Sequence, residues 1–172
     1  VVSELSRFNI ELNTQPRELH LNFFSKMEQD LSHTWQKCNK VAQTFDASLV
    51  MIGVLPTVRD DQLTLTNMSL TERYRALNEQ VLRLRDGKPL RLDIDGHEEL
   101  HMRHGDVMFE SAAPSFQIHL QTPYGHAKRY YNAAHILSAP MVAISANSPY
   151  LFGRDLWNET RIPLFEQAVD LA

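Results

Sequence analysis

Ser115-Phe116-Gln117-Ile118-His119-Leu120-Gln121 alternates without a break. Phe116, Ile118 and Leu120 face one way, and Gln117, His119 and Gln121 face the other. A period of two marks a strand with one packed and one polar face. Far upstream, Phe8 to Asn13 repeats the pattern, with Phe8, Ile10 and Leu12 opposed to Asn9, Glu11 and Asn13. Strands that alternate, instead of being apolar on both faces, belong to antiparallel sheets covered on one side. The sequence therefore predicts an α+β fold, an antiparallel sheet with helices packed on one face.

The cover is written between the strands. Pro16 ends the first, and Leu19, Phe23, Met27, Leu31, Trp35, Cys38, Ala42 and Phe45 then form one apolar stripe at helical spacing. Ser48 to Val54 reads as a short buried strand ending at Pro56, and polar Thr57 to Asn67 as a loop. Ser69-Leu-Thr-Glu72 has capping-box spacing, and Tyr74, Leu77, Val81 and Leu84 give the next helix its apolar side until Gly87 and Pro89 stop it. Leu90, Leu92 and Ile94 lead to Asp95-Gly96, a favoured hairpin dipeptide, with Leu100 and Met102 on the return strand. After Gly125 a helix carries Ala134, Leu137, Met141 and Ile144, interrupted at Pro140, and a last one begins near Pro163. No repeat or interdomain linker divides the 172 residues, so one domain is expected over 1–172.

Composition narrows the function. Seventeen Lys and Arg against 21 Asp and Glu leave a net charge of −4, which argues against nucleic acid or an anionic membrane as partner. No stretch approaches the ~18 apolar residues of a membrane span. A single cysteine, Cys38, leaves no intrachain disulfide and no cysteine cluster for zinc. With no signal peptide in view, the expected compartment is the cytoplasm.

If the two alternating strands share a sheet, its open face carries Asn9, Glu11, Asn13, Gln117, His119 and Gln121. A merely solvated face is usually filled by Lys, Glu, Thr and Ser. Amides with one carboxylate and one imidazole are groups that bind polar ligands and Mg²⁺. From spacing alone, a solvent-facing sheet and a binding face both stay open. His101 and His104 have metal-like spacing but lie beside Gly105, where no helix is expected, and Asp155 beside Arg154 reads as a loop ion pair.

Order along the chain adds more. Ser115 to Gln121, a helix, then Ala146-Asn-Ser-Pro149, Gly153 and Arg161 resembles the core of bacterial and plant-type glutamate–cysteine ligases. Glu4 to Pro16, with Glu11 inside Ile-Glu-Leu-Asn-Thr-Gln-Pro, is similar to the strand carrying that family's metal-binding glutamate. Ile52-Gly-Val-Leu-Pro56 and Arg73-Tyr-Arg-Ala-Leu77 resemble its next two motifs in the same order. The resemblance implies a glutamine-synthetase-like fold, a polar sheet face holding ATP, Mg²⁺ and glutamate, and a γ-glutamyl phosphate displaced by the amine of cysteine.

On that resemblance Glu11 and Glu4 are Mg²⁺ ligands, Gln117 and His119 contact the nucleotide and substrate, and Arg161 faces a carboxylate or phosphate as its bidentate fork allows. Asn147 and Ser148 shape the loop, and Glu110 is a weaker candidate. A ligase of the same fold with another amine acceptor, or a non-catalytic domain of that fold, remains open. The chain starts at Val1 without methionine and ends in a helical pattern at Leu171-Ala172, so it is expected to be the central fragment of a larger catalytic domain. A sheet lacking a strand also leaves an edge that invites homodimer formation by strand pairing. The expected outcome for the isolated 172 residues is no γ-glutamylcysteine formation from ATP, glutamate and cysteine, measured by product chromatography.

Overall fold

The computed structural model describes residues 1–170. The expected helical ending at Leu171-Ala172 lies outside them. Helices alternate with short antiparallel sheets, an α+β arrangement. The order is β1 (Val2–Ser3), β2 (Ile10–Glu11), α1 (Phe23–Gln43), α2 (Glu72–Leu84), β3 (Leu90–Asp95), β4 (Glu99–His104), α3 (Ala127–Ser145), β5 (Tyr150–Leu151), β6 (Arg154–Asp155) and α4 (Arg161–Ala168), with short 3₁₀ helices between.

The strands form three two-stranded sheets, β1–β2, β3–β4 and β5–β6, in place of one larger sheet. Neither 48–54 nor 115–121 is a strand. Alternation declares which face is apolar; it does not supply the ladder of backbone partners that makes a strand. For 115–121 no described backbone group supplies it. The expected faces are also reversed over 8–11, whereas Leu12 is half-buried and Asn13 exposed as the alternation predicts. Asn9 and Glu11 are half-buried, while Phe8 and Ile10 are exposed. Asn9 turns inward because its side-chain amide donates to the Ser111 carbonyl at 2.7 Å.

The interior is built on the β3–β4 hairpin, which pairs Leu90 with His104 through Asp95 with Glu99. Leu90, Leu92 and Ile94 are buried as their alternation predicts, with Leu100 from the return strand. The turn spans Gly96 to Glu98, one residue more than the Asp-Gly signal implies. Gly96 is required by its neighbour: a Cβ there would sit 2.6 Å from the Leu156 carbonyl carbon. The 3₁₀ helix Val107–Ala112 and α4 pack on the hairpin and contribute Phe109, Met108 and Leu164. Gln167 covers the free edge of β3. Its side chain accepts from the Asp93 amide at 2.7 Å and donates to the Asp93 carbonyl at 2.9 Å.

α2 presents a different face from the one its leucines suggest. Tyr74, Asn78 and Arg85 are buried, whereas Leu77 and Leu84 are exposed. Asn78 accepts the Val107 amide at 3.1 Å, and Arg85 donates to the carbonyls of Pro89 and Asp170. The capping box does not form, because Ser69 instead donates to the Glu4 carbonyl. The helix ends as Gly87 predicts: Asp86 (φ 54) and Gly87 (φ 72) turn left-handed and return their amides to Arg83 and Leu82. α4 starts two residues before Pro163, which the first turn tolerates. α1 runs its stripe of Phe23, Met27, Leu31, Trp35 and Cys38 half-buried, and α3 continues through Pro140 without a break; neither has a buried residue.

His104 closes the hairpin's end. Its Nδ1 lies 2.9 Å from the Asp106 carboxylate, its ring is 4.6 Å from that of Phe109, and Asp60 approaches Nε2 at 3.9 Å. The hydrogen bond to Asp106 raises its pKa against the opposing effect of burial. A raised folded pKa gives stability that is complete below the unfolded value near 6.5 and is lost as pH rises through the folded value. Thermal unfolding of the wild type should therefore weaken from pH 6 to 9 by more than that of His104→Gln. After solvent screening the difference is at most about 1 kcal/mol.

Candidate functional site

Two polar corners gather most of the predicted site residues. The first is built on β1–β2. The register sets Glu11 opposite Val2, and Glu4 follows directly after β1; the charges of both carboxylates act on Arg73. The Tyr74 hydroxyl donates to the Glu4 carboxylate at 3.0 Å, and Arg73 lies 3.9 Å from the same oxygen. Arg73 also stacks over the Tyr74 ring, 4.4 Å from its centroid, and donates to its hydroxyl. Burial raises the Tyr74 pKa most, with the Glu4 hydrogen bond acting the same way and the Arg73 hydrogen bond opposing. The Arg73 guanidinium is held protonated by its Tyr74 bond and by the charges of Glu4 and Glu11. Glu110 joins this corner: burial first, and then the Glu4 charge, push its carboxyl pKa up.

A cleft of about 640 Å³ opens beside this corner, lined by Ser3, Ser6, Arg7, Asn9 and Ser69 among others. The Ser6 hydroxyl is fully buried and is the one such side-chain atom lacking a hydrogen-bond partner among the described residues. An unpaired buried hydroxyl costs about 1–3 kcal/mol, so it is a group ready for a ligand or water.

The second corner centres on Arg161. Its Nε and one Nη grip both Glu159 carboxylate oxygens at 2.6 Å, the same Nη reaches Asn147 at 3.0 Å, and the other Nη donates to the Pro114 carbonyl at 3.0 Å. The Ser148 hydroxyl donates to Glu159 as well. Burial acts to raise the Glu159 pKa, but hydrogen bonds from Arg161 and Ser148 hold it below the ordinary carboxylate value. Arg161 is correspondingly raised, first by Glu159. Gly53 completes the corner, because a Cβ there would meet the Asn147 side-chain oxygen at 2.3 Å. Segments separate in sequence, 52–56, 146–149 and Arg161, are thereby brought together.

Residues 110–114 join the corners, Glu110 standing at the first and Pro114 at the second. Four residues of chain span at most about 14 Å. Gln117 and His119 follow directly. Both are exposed and hydrogen-bond each other at 3.2 Å, with Gln117 also donating to Ser115. No hydrogen bond or ion pair among the described residues links them to Glu4, Glu11 or Arg161. Three partners had no signal in the sequence reading: Glu159, two residues from Arg161; Tyr74, counted as an apolar helix residue; and Asn9, counted as part of an open face.

For a metal, the donor set is two carboxylates. Among the described residues no group of three or more His, Cys, Asp or Glu is arranged to hold an ion. Glu4 and Glu11 suit Mg²⁺, which keeps several waters and binds through one or two carboxylates together with substrate phosphates. Arg161 retains one N–H on the Nη that faces Pro114, enough to reach one further acceptor.

The Glu159–Arg161 pair is largely withdrawn from water, with side-chain exposures of 9% and 22%. Removing one partner leaves the other charge uncompensated. Glu159→Gln should lower unfolding free energy at pH 7 by about 1–3 kcal/mol in denaturant titration. Because the Glu159 pKa is depressed on folding, its contribution is present above the unfolded value near 4.3 and lost as pH falls through the folded one. The difference between wild type and variant should shrink accordingly below about pH 4.

No helix among the described residues is long and apolar enough to cross a membrane. No curated protein and no solved structure matches the chain significantly. The family model for glutamate-cysteine ligase family 2 (GCS2), however, matches residues 1–171, nearly the entire sequence. The ordered motifs and the gathering of several of them into two adjoining corners accord with that match: the chain belongs to glutamate-cysteine ligase family 2.

Proposed function

We propose that the chain supplies part of the site of an ATP- and Mg²⁺-dependent ligase that joins the γ-carboxylate of glutamate to the amine of cysteine. The observation that favours this reading is that the charges of Glu4 and Glu11 both act on Arg73, next to a cleft lined in part by Ser6 and Asn9. Family membership supplies the reaction class.

A carboxylate is a poor electrophile, since an amine must displace oxide from it. Transfer of the γ-phosphoryl of ATP makes an acyl phosphate, from which phosphate departs when the amine attacks. The difficulty is crowding of anionic oxygens, relieved by cations and oriented donors. When bound, Mg²⁺ neutralises phosphate charge as the phosphoryl group moves. Glu4 and Glu11 hold the ion, with Tyr74 orienting Glu4 through its hydroxyl. Gln117 and His119 contact the nucleotide. Arg161, anchored by Glu159, presents its remaining N–H to a carboxylate or phosphate. The cytoplasm, which provides ATP and reduced thiol, is the compartment that suits this chemistry.

The test uses the full-length protein. Product formation from glutamate, ATP and a panel of amines should require Mg²⁺ and favour cysteine. Glu11→Gln should raise the Mg²⁺ concentration for half-maximal rate by about 10–100-fold. An unchanged Mg²⁺ requirement in that variant removes Glu11 from the site, and preference for another amine reassigns the acceptor.

A further inference from the structure

Arginine recognises a carboxylate or phosphate best with its planar fork, through two parallel N–H bonds. In Arg161 that fork is already filled. Nε and one Nη each meet a Glu159 oxygen at 2.6 Å. The same Nη also donates to Asn147 at 3.0 Å, and the other Nη donates to the Pro114 carbonyl at 3.0 Å. A single guanidinium N–H is left over.

Glu159 is held from its other side as well. The Ser148 hydroxyl and the Asn147 backbone amide both donate to its carboxylate, and its side chain is only 9% exposed. Gly53 leaves room for the Asn147 side chain, since a Cβ there would lie 2.3 Å from the Asn147 oxygen. Every one of these partners is supplied by this chain itself. Arg73, by contrast, meets Glu4 through one oxygen at 3.9 Å. The two corners therefore treat their arginines differently: one is loosely accompanied, the other tightly matched.

A guanidinium matched in this way has little net charge to offer. It offers a directed donor instead. Such a donor suits one acceptor oxygen on a group that other contacts have already positioned. Free phosphate, which gains most from an open fork and an uncompensated charge, gains little from it.

We propose that Glu159 is the positioning residue of Arg161. It keeps the guanidinium plane fixed and its charge cancelled, so that Arg161 meets one carboxylate oxygen of the amino-acid substrate through its remaining N–H and does not retain free phosphate. The inference rests on the ligase reading for the substrate and deepens it by giving Arg161 a single-oxygen partner. The distinction matters in that reaction, because displacement of an acyl phosphate by an amine releases phosphate beside the bound substrates.

The test uses the full-length protein with inorganic phosphate as the probe, followed by ³¹P line broadening, which needs no turnover. Glu159→Gln keeps the shape and removes the compensating charge. In protein whose fold near-ultraviolet circular dichroism verifies, it should tighten phosphate binding by about tenfold or more. Glutamate should displace the phosphate so gained, and the gain should vanish in the double variant Glu159→Gln with Arg161→Gln. A wild-type measurement stands apart from the folding of the Glu159 variant. The Arg161 Nε–H resonance, identified by its absence from Arg161→Gln, should stay slow to exchange with and without glutamate, Mg²⁺ and ATP. Phosphate binding unchanged in Glu159→Gln overturns the proposal. So does gained phosphate that glutamate leaves in place or that survives in the double variant, and so does an Nε–H freed by glutamate. If all of these behave as expected but no form makes a γ-glutamyl product, the ligase reading falls and the pairing of Glu159 with Arg161 stands.

Discussion

Val107, Met108 and Phe109 are taken wholly out of water in succession, and three consecutive buried residues place a strict demand on their backbone. Each side chain gains about 1.5–3 kcal/mol from burial, but an unpaired amide beside it would cancel much of that. The surrounding polar groups meet the demand. Asn78 of α2 accepts from Val107, Asp106 accepts from Met108 at 2.9 Å, and the Ser111 hydroxyl returns a bond to the Met108 carbonyl at 2.6 Å. Phe109 then stacks against His104 of β4 and Phe152 beyond β5. The buried segment thus fixes how α2, the hairpin and the β5–β6 region meet, and residues 110–114 leave it in a determined direction.

That direction matters for chemistry. From a rigid base the chain passes Glu110 in one corner and Pro114 in the other, so the core sets the spacing of the two corners. The corners differ in charge balance. Around Glu4, the carboxylates of Glu4 and Glu11 act on the Arg73 guanidinium, while burial favours the neutral form of Glu110. Around Arg161, one guanidinium is matched by the Glu159 carboxylate, and the surplus lies in directed N–H groups.

Legibility in the sequence followed the range of the interactions involved. The β3–β4 hairpin was readable because its alternation and its turn are local, and the motifs carrying Glu4, Glu11 and Arg161 were readable in order. The inward face of α2 was readable at Tyr74 and Val81, which pack inward, but not at Asn78 and the C-cap Arg85, polar residues satisfying backbone groups remote in sequence, while Leu77 and Leu84 point outward. The reversal over residues 8–11 has the same cause in Asn9. Glu159 gave no signal, since a carboxylate two residues from an arginine becomes bidentate only where the chain turns. The single sheet failed at 115–121, where periodicity is perfect and hydrogen-bond partners are missing.

The bond between Gln167 and Asp93 spans 74 residues, and it has a consequence for how the molecule is made. During vectorial synthesis the hairpin emerges early and can zip at once, because its contacts are local. Its outer edge at Asp93 and the apolar floor beneath it stay open until α4 follows. Closing a loop of that length costs only a logarithmic entropy, yet the contact is slow to find because it is distant along the chain. The interior is therefore completed only once α4, whose Gln167 lies 74 residues along the chain from Asp93, has been made, and until then the hairpin edge stays open.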